Sequence, residues 1–178
     1  SAKKIKKYYN KKIKIIFYYF YKKNVEKFTK KKIYFDVISS FAMFYDVRDP
    51  NTFCSDIEKL LTKDGVWILE LSYLPLFLKN LSYDQICHEH VAYYSLTVFK
   101  KIIEKNGLKI IDFTLNEING GSIEIICSKK NSKYKEKKSK IKNILKDEKK
   151  INKKSFINFN ERVNKTKLLL QMFLKLKS

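Results

Sequence analysis

The six residues at 66–71, reading Val-Trp-Ile-Leu-Glu-Leu, constrain the fold more than any other part of this chain. Their apolar side chains are almost continuous, which is typical of a parallel strand covered on both faces. An earlier strand is predicted at 34–40 and ends in Ser39 and Ser40. Because ligands of open α/β sheets bind beyond the carboxyl ends of the strands, we expect Ser39, Ser40 and Glu70 to face one crevice.

Hydrophobic periodicity and turn residues predict further elements before and after these two strands. A strand at 13–17 and a helix at 25–31 are expected to precede the strand at 34–40. The next helix is predicted to begin at Asp49-Pro50, because Asp caps a first turn and Pro fits its first position, and to end at Asp64-Gly65. The residues expected on its buried face are Phe53, Ile57, Leu60 and Leu61.

Two helices and two strands are predicted beyond residue 71. A short helix is expected at 74–78, and a second helix, capped by Ser95, is expected to end at Asn106-Gly107. The residues expected on the apolar face of that second helix are Val98, Ile102 and Ile103. Strands at 108–115 and 122–127 should pair antiparallel, because Asn119-Gly120-Gly121 can supply the positive φ angles of a tight reversal.

The last 50 residues differ from the rest of the chain. Residues 129–154 are dominated by lysine and are predicted to form a solvated helix or linker. Residues 156–176 have the pattern of a helix with too much apolar surface to stand alone, so this helix needs a partner. The sequence therefore predicts a domain at 1–128 and a helical extension at 129–178 that begins a second domain.

The composition is that of a folded protein with an excess of lysine. Of the 178 residues, 44% are hydrophobic, which is enough to build a core. The formal charge of +21 would suit a polyanionic partner. The lysines nevertheless occur in every segment, whereas arginine, which binds phosphate through a planar fork, occurs only at Arg48 and Arg162. We therefore expect no nucleic-acid partner, and a basic domain that binds RNA or another polyanion is the alternative function.

Cysteine usage and hydropathy bear on the cellular compartment. The three cysteines, Cys54, Cys87 and Cys127, form no C-x-x-C pair, which favours a reducing cytoplasm and argues against a disulfide framework or a structural zinc site. No apolar run approaches the roughly 18 residues of a membrane span, and the chain opens without a leader pattern. A cytoplasmic protein with no membrane partner is therefore expected.

The chain has two histidines, and they flank a glutamate as His88-Glu89-His90. Imidazole is the side chain that takes and gives a proton near neutral pH, and a neighbouring carboxylate can fix its tautomer. The same triplet is also compatible with an exposed polar loop, or with a metal-dependent hydrolase that uses both histidines as ligands. The metal interpretation lacks a third ligand of suitable spacing, so no metal site is predicted.

Glycine content excludes two common cofactor-binding motifs. The chain has four glycines and contains neither a G-x-G-x-x-G nor a P-loop, so no nucleotide phosphate is held by a backbone cradle. A serine nucleophile elbow is absent as well. A His/Glu cluster beside a crevice at the carboxyl ends of strands is suited to removing a proton next to a carbonyl.

Four segments, in this order, resemble class I S-adenosylmethionine-dependent C-methyltransferases that act on nucleotide-linked deoxysugars. They are residues 35–50, residues 64–75, residues 83–96 with the sequence Tyr-Asp-Gln-Ile-Cys-His-Glu-His-Val-Ala-Tyr-Tyr-Ser-Leu, and residues 119–122. The third segment is the most specific. The resemblance implies a partial Rossmann-like α/β sheet, followed by an antiparallel hairpin and a helical extension.

The resemblance also implies roles for individual residues. His90 corresponds to the base, Glu89 to its orienter or a ligand of a substrate hydroxyl, and His88 to a second polar contact. Ser40, Phe41 and Ala42 would flank S-adenosylmethionine. The residues expected to line the pocket of a nucleotide-sugar substrate are Tyr83, Tyr93 and Tyr94.

Parts of the family pattern are missing or changed in this chain. The family's zinc-binding module, its glycine-rich loop and most of its C-terminal domain are not found, so the resemblance implies a fragment that is inactive alone and a zinc ion held only by the missing part. Cys87 stands where many members have Tyr, and Asn119 where many have His. These changes leave the acceptor sugar and the methylated atom open, and the oligomeric state is not predicted.

Overall fold

The computed structural model describes Phe20 and residues 22–176, and the strand predicted at 13–17 lies outside the described residues. The helices are α1 Lys22–Lys30, α2 Pro50–Leu60, α3 Leu74–Asn80, α4 Leu96–Lys105, α5 Lys138–Glu148 and α6 Lys153–Lys175. The strands are β1 Phe35–Phe41, β2 Leu61–Ser72, β3 Leu108–Asn116 and β4 Ser122–Lys129. The predicted α/β fold class is confirmed.

The described strands form one mixed sheet in the order β1-β2-β4-β3. β1 and β2 are parallel, as predicted, and β4 pairs antiparallel with both β2 and β3. The antiparallel hairpin predicted for the last two strands is therefore confirmed. In β2, Trp67, Leu69 and Leu71 are at most 1% exposed, because helices and the hairpin enclose the centre of the sheet.

Helix α2 begins as predicted but ends four residues before the predicted stop. The Asp49 carboxylate accepts a hydrogen bond from Thr52 N at 3.0 Å, and Leu60 is the last helical residue. Asp64-Gly65 instead lies within β2, where the pairing with β1 shifts register. A Cβ at Gly65 would lie 2.7 Å from the carbonyl oxygen of Phe35, so glycine is needed there for close strand approach and does not end a helix.

Helix α4 follows its predicted bounds and buries Ile103 as predicted, but its buried face includes Phe99 in place of Val98. The Ser95 hydroxyl accepts a hydrogen bond from Val98 N at 3.3 Å, and Gly107 has a φ of +79° after the last turn. Val98, predicted on the buried face, is 47% exposed, whereas Phe99 is fully buried against Phe44 and Trp67. The helix is rotated so that the larger aromatic ring fills the core.

The turn between β3 and β4 has the predicted positive φ angles at Asn119, Gly120 and Gly121. Glycine is also required at positions 120 and 121 because neighbouring side chains leave no room for a Cβ. A Cβ at Gly120 would lie 2.2 Å from the Ser82 hydroxyl oxygen, and one at Gly121 would lie 2.4 Å from the Leu76 Cβ. The two glycines thus allow the hairpin to approach α3 and the segment after it.

The lysine-rich region contains a helix that packs on the domain, so its description as a solvated helix or linker is wrong for α5. Ile141 is 4% exposed and belongs to the hydrophobic core. Glu148, at the end of α5, is 7% exposed and binds Tyr73 and the first turn of α4. Only the outward face of α5, which carries most of its lysines, is solvated.

Helix α6 contacts the domain near its start and exposes apolar side chains further along. The Phe159 ring stacks on Phe77 at 5.0 Å, and the Arg162 guanidinium donates to the carbonyl oxygens of Leu78 and Lys79. Apolar residues in its second half that remain more than half exposed include Leu168, Leu169, Leu170 and Met172. The predicted apolar helix is confirmed, and its partner stays a prediction.

Candidate functional site

The segment that contains both histidines, residues 82–94, is called the histidine segment below. It crosses the carboxyl end of the parallel strands because both of its ends are hydrogen-bonded to other elements. At its start, the Ser82 hydroxyl donates to the Gly120 carbonyl oxygen at 2.9 Å. At its end, Leu74 N donates to the Tyr94 carbonyl oxygen at 2.9 Å, just after β2. The segment is thus tied to the hairpin on one side and to the end of β2 on the other.

A third anchor fixes His90 itself. Val91 N and Ala92 N both donate to the Tyr45 carbonyl oxygen, at 2.9 and 3.2 Å. Tyr45 lies four residues after Phe41, in the single helical turn that follows β1. The two bonds therefore hold the backbone beside His90 directly beyond the tip of β1.

The imidazole of His90 lies between two tyrosine rings. Its centroid is 4.2 Å from the Tyr45 ring and 6.2 Å from the Tyr93 ring. The Nδ1 atom is buried and has no hydrogen-bond partner among the described residues. A buried nitrogen without a partner is unfavourable, so this atom is a candidate for a hydrogen bond to a ligand.

His88 and Glu89, the other two residues of the triplet, have exposed side chains. The side chains of His88 and Glu89 are 91% and 72% exposed, and His88 Nε2 is 3.9 Å from Glu89 Oε1. Glu89 also influences Asp46, whose carboxyl pKa is raised by burial, lowered by His90 and raised by Glu89. Neither Asp46 nor Glu89 is hydrogen-bonded to the buried Nδ1 of His90.

Glu70 closes the site on the side of β2. Its carboxylate is 8% exposed and accepts a hydrogen bond from Asn116 Nδ2 at 2.9 Å. Its backbone carbonyl accepts from Ala42 N at 3.1 Å, which joins the ends of β1 and β2. Ser72, at the end of β2, has a buried hydroxyl oxygen with no partner among the described residues. Several polar groups, Glu70 among them, therefore lie near the carboxyl ends of the strands, and the crevice predicted there stays a prediction.

The residues expected at the edge of the cofactor site have an arrangement that suits a partly apolar ligand. Phe41 is 53% exposed at the end of β1, and Ala42 has a φ of +50° that turns the chain away. The Ser40 hydroxyl accepts a hydrogen bond from Trp67 Nε1 at 2.9 Å and keeps its own proton to donate. An exposed ring, a small residue and a hydroxyl fit the edge of an S-adenosylmethionine site.

The three predicted pocket tyrosines are in different environments. Tyr93 contacts His90, and its hydroxyl donates to the Gln85 carbonyl oxygen at 2.9 Å. Tyr94 is 5% exposed and packs on Phe44, and burial raises its pKa. Tyr83 is 43% exposed. The structure therefore brings Tyr93 to His90, buries Tyr94 in the core and leaves Tyr83 at the surface.

Sequence reasoning did not single out Tyr45, Asp46 or Asn116 as site residues. Tyr45 and Asp46 come five and six residues after Ser40, and a polar or aromatic residue just beyond a parallel strand is a signal that could have identified them. Asn116 ends β3 and reaches Glu70 only because the hairpin folds back. Its position depends on strand pairing, which the local sequence does not contain.

Comparisons with known proteins identify two matching families. The chain matches the methyltransferase domain family over residues 6–112 and the C-methyltransferase C-terminal domain family over residues 117–178. Over 85 residues it is 33% identical to the C-methyltransferase NovU of Streptomyces niveus. That alignment covers 48% of this chain and 20% of NovU, so the chain spans about a fifth of this relative.

Solved structures with similar folds include three methyltransferases. N-methyltransferase NodS from Bradyrhizobium japonicum WM9 is 14% identical, with 55% of this chain and 52% of that chain covered and a TM-score of 0.40. Magnesium protoporphyrin IX methyltransferase from Synechocystis PCC 6803, with bound SAH, is 14% identical, with coverages of 55% and 46% and a TM-score of 0.42. An S-adenosylmethionine-dependent methyltransferase from Clostridium acetobutylicum ATCC 824 is 12% identical, with coverages of 58% and 68% and a TM-score of 0.43.

The described part of the chain has neither a metal-binding cluster nor a membrane-spanning helix. Among Phe20 and residues 22–176, no group of three or more His, Cys, Asp or Glu side chains could hold a metal ion. Within those same residues, no helix is both long and apolar enough to cross a membrane.

Proposed function

This chain belongs to the methyltransferase domain family, and we propose that it is part of an enzyme that methylates a carbon atom of a nucleotide-linked keto-deoxysugar. The cofactor predicted from the resemblance, S-adenosylmethionine, is confirmed by this membership. The match of residues 117–178 to a C-methyltransferase domain and the identity with NovU support carbon as the acceptor atom. The basic-domain alternative is not favoured, since both matched families are methyltransferases.

The observation that carries the proposal is the position of His90. Its segment is hydrogen-bonded beyond the tip of β1, its ring is held between Tyr45 and Tyr93, and its Nδ1 has no partner among the described residues. In a keto sugar, the carbonyl acidifies the hydrogen on the adjacent carbon. A neutral imidazole at this place is suited to take that proton, and general-base assistance contributes about 10²–10⁴ in rate.

The remaining residues have positioning roles in the proposed mechanism. Ser40, Phe41 and Ala42 would hold one edge of S-adenosylmethionine, which supplies an electrophilic methyl group when bound. Tyr93 and Tyr83 would line the sugar side of the site. Glu89 and His88, which are largely exposed, would contact substrate hydroxyl groups. Placing the acceptor carbon against the base would lower the barrier further by orientation.

We further propose that the chain acts as part of a longer polypeptide and does not methylate a sugar by itself. It contains no G-x-G-x-x-G sequence, and it spans a fifth of NovU. The isolated 178-residue chain is therefore expected to bind S-adenosylmethionine weakly or not at all in isothermal titration calorimetry. The longer polypeptide, called the full-length protein below, should bind it. Tight binding by the isolated chain would contradict this part of the proposal.

The function is tested in the full-length protein with a panel of nucleotide-linked 4-keto-deoxysugars and S-adenosylmethionine. Mass spectrometry should detect a product heavier by one methylene, and NMR should show the new methyl group on carbon. The substitution His90→Gln should lower the turnover at least about 100-fold and leave S-adenosylhomocysteine affinity unchanged.

His88→Gln is the matched control, because it makes the same chemical change two residues away on a side chain that is 91% exposed. It should act mainly on KM and lower the turnover far less than His90→Gln does, because it removes a substrate contact and not the proposed base. Equal turnover by the His90→Gln variant and the wild type would refute the base assignment. Methylation on oxygen or nitrogen would refute the proposed reaction.

A further inference from the structure

We propose that the hydroxyl group of Tyr45 donates the hydrogen bond that stabilises the substrate oxyanion formed when His90 removes the proton. This inference rests on the proposed function and adds a residue to its mechanism. Removing a proton next to a carbonyl places negative charge on the carbonyl oxygen. A donor directed at that oxygen is among the largest contributions an active site can make.

Tyr45 and His90 are held together as one unit. Their ring centroids are 4.2 Å apart with an interplanar angle of 52°, and the Tyr45 carbonyl oxygen accepts bonds from the two residues after His90. Tyr45 is only 6% exposed, so its ring has little freedom to move. A substrate carbon that reaches the imidazole would therefore lie close to the phenol as well.

The Tyr45 hydroxyl is available to a ligand. Among the described residues, no backbone or side-chain group is hydrogen-bonded to it. The hydroxyl of Tyr93, the other tyrosine in contact with His90, donates to Gln85 at 2.9 Å. Of the two phenols against the imidazole, Tyr45 is the one whose proton is not already used.

The acidic groups that influence the Tyr45 hydroxyl lie near the strand ends and in the histidine segment. The pKa of Tyr45 is raised by burial, and further by the nearby acidic groups of Asp46, Cys87 and Glu70. Glu70 lies at the carboxyl end of β2 and Cys87 precedes the histidine pair. The phenol therefore lies between the tip of the sheet and the histidine segment. Because these effects raise its pKa, the phenol keeps its proton and can act as a donor.

The proposed step conserves atoms and electrons within the substrate and two side chains. The carbon–hydrogen bond next to the carbonyl breaks, and the proton forms a new N–H bond on His90. The electron pair left on carbon forms a carbon–carbon double bond, and the carbonyl π pair moves onto oxygen. The Tyr45 O–H stays intact and donates a hydrogen bond to that oxygen. The phenol is therefore neither oxidised nor deprotonated.

The experiment compares Tyr45→Phe with Tyr34→Phe in the full-length protein. Each change removes one phenol hydroxyl, and Tyr34 is the matched control because it is 49% exposed and precedes β1, at the opposite end of that strand from Tyr45. Two rates are measured with a nucleotide-linked 4-keto-6-deoxysugar: methyl transfer, and deuterium incorporation next to the carbonyl in D2O without the methyl donor. The second rate reports proton removal alone.

Tyr45→Phe should lower both rates about 100-fold, with thermal stability and S-adenosylhomocysteine affinity near the wild-type values. Tyr34→Phe should change both rates less than about 5-fold, because its exposed hydroxyl lies away from His90. If the wild type is active and Tyr45→Phe keeps more than a third of both rates, the role of Tyr45 is overturned and the proposed function stands. A wild-type protein that neither methylates nor exchanges any keto sugar overturns both.

Discussion

Removing the carboxylate of Glu148 should destabilise the protein more than any other single change in its lysine-rich region. Glu148 accepts hydrogen bonds from Leu96 N at 2.6 Å, Thr97 N at 2.8 Å and the Tyr73 hydroxyl at 2.7 Å, and a further bond from the Thr97 hydroxyl. It is 7% exposed. Its negative charge lies at the N-terminus of α4, where the helix dipole favours an anion.

The expected loss follows from these contacts. A hydrogen bond to a charged group contributes about 1.5–3 kcal/mol, and a buried donor left without a partner costs about 1–3 kcal/mol. Since the contributions are coupled and do not add, Glu148→Ala should lower the free energy of unfolding by about 3–5 kcal/mol. Glu148→Gln keeps one acceptor oxygen and should lose roughly half of that. For a protein of this size, 1 kcal/mol corresponds to about 2–4 °C in Tm, so the alanine variant should melt about 6–20 °C lower.

The assay is thermal and urea-induced unfolding of the 178-residue chain, followed by the fluorescence of Trp67, its single tryptophan. Asp147→Asn is the matched control, because it also neutralises a carboxylate on α5 but one that is exposed and paired with Lys150. This control should unfold with the wild type. If Glu148→Ala and Asp147→Asn have the same midpoint, the carboxylate does not hold α5 and α4 together, and the assigned role is wrong.

Two further predictions concern thiols and acid. A thiol reagent at pH 8 should modify Cys87 rapidly and leave Cys54 and Cys127 unreacted in the folded protein. Cys87 is exposed, whereas burial raises the pKa of Cys54 to about 12 and raises that of Cys127 well above its ordinary value. Rapid loss of three thiols by mass spectrometry would contradict this. Burial raises the Asp112 pKa, but hydrogen bonds from Lys137 and Lys140 outweigh this effect and hold the pKa at about 2. The ionised carboxylate therefore stabilises the folded state above about pH 4, and this stabilisation is lost as the pH falls towards 2. Asp112→Asn should therefore reduce stability by less than about 1 kcal/mol at pH 6, since solvent screens the pairs, and should match the wild type near pH 2; an equal loss at both pH values would contradict the ion-pair explanation.

The sequence alone predicted much of the sheet because its signals there are local. Alternation, apolar runs and turn residues are properties of neighbouring positions, so the parallel pair, the closing hairpin and the caps at Asp49 and Ser95 are predictable without distant contacts. The prediction was wrong at Asp64-Gly65, where the same two residues are compatible with the end of a helix and with a position inside a strand. Asp64-Gly65 was interpreted as a helix stop, yet the close approach of Phe35 explains why glycine is there.

The sequence also predicts that the chemistry takes place at His90 and the strand ends, since imidazole is rare in this chain and parallel strands end together. Only the tertiary structure placed Tyr45 against that imidazole, Asn116 on Glu70, and Glu148 under the first turn of α4. These pairs are separated by 45, 46 and 52 positions, so no local pattern contains them. Local sequence fixes which elements form, whereas the partners of buried polar groups are decided when distant elements pack, because each such group must find a partner once water is excluded.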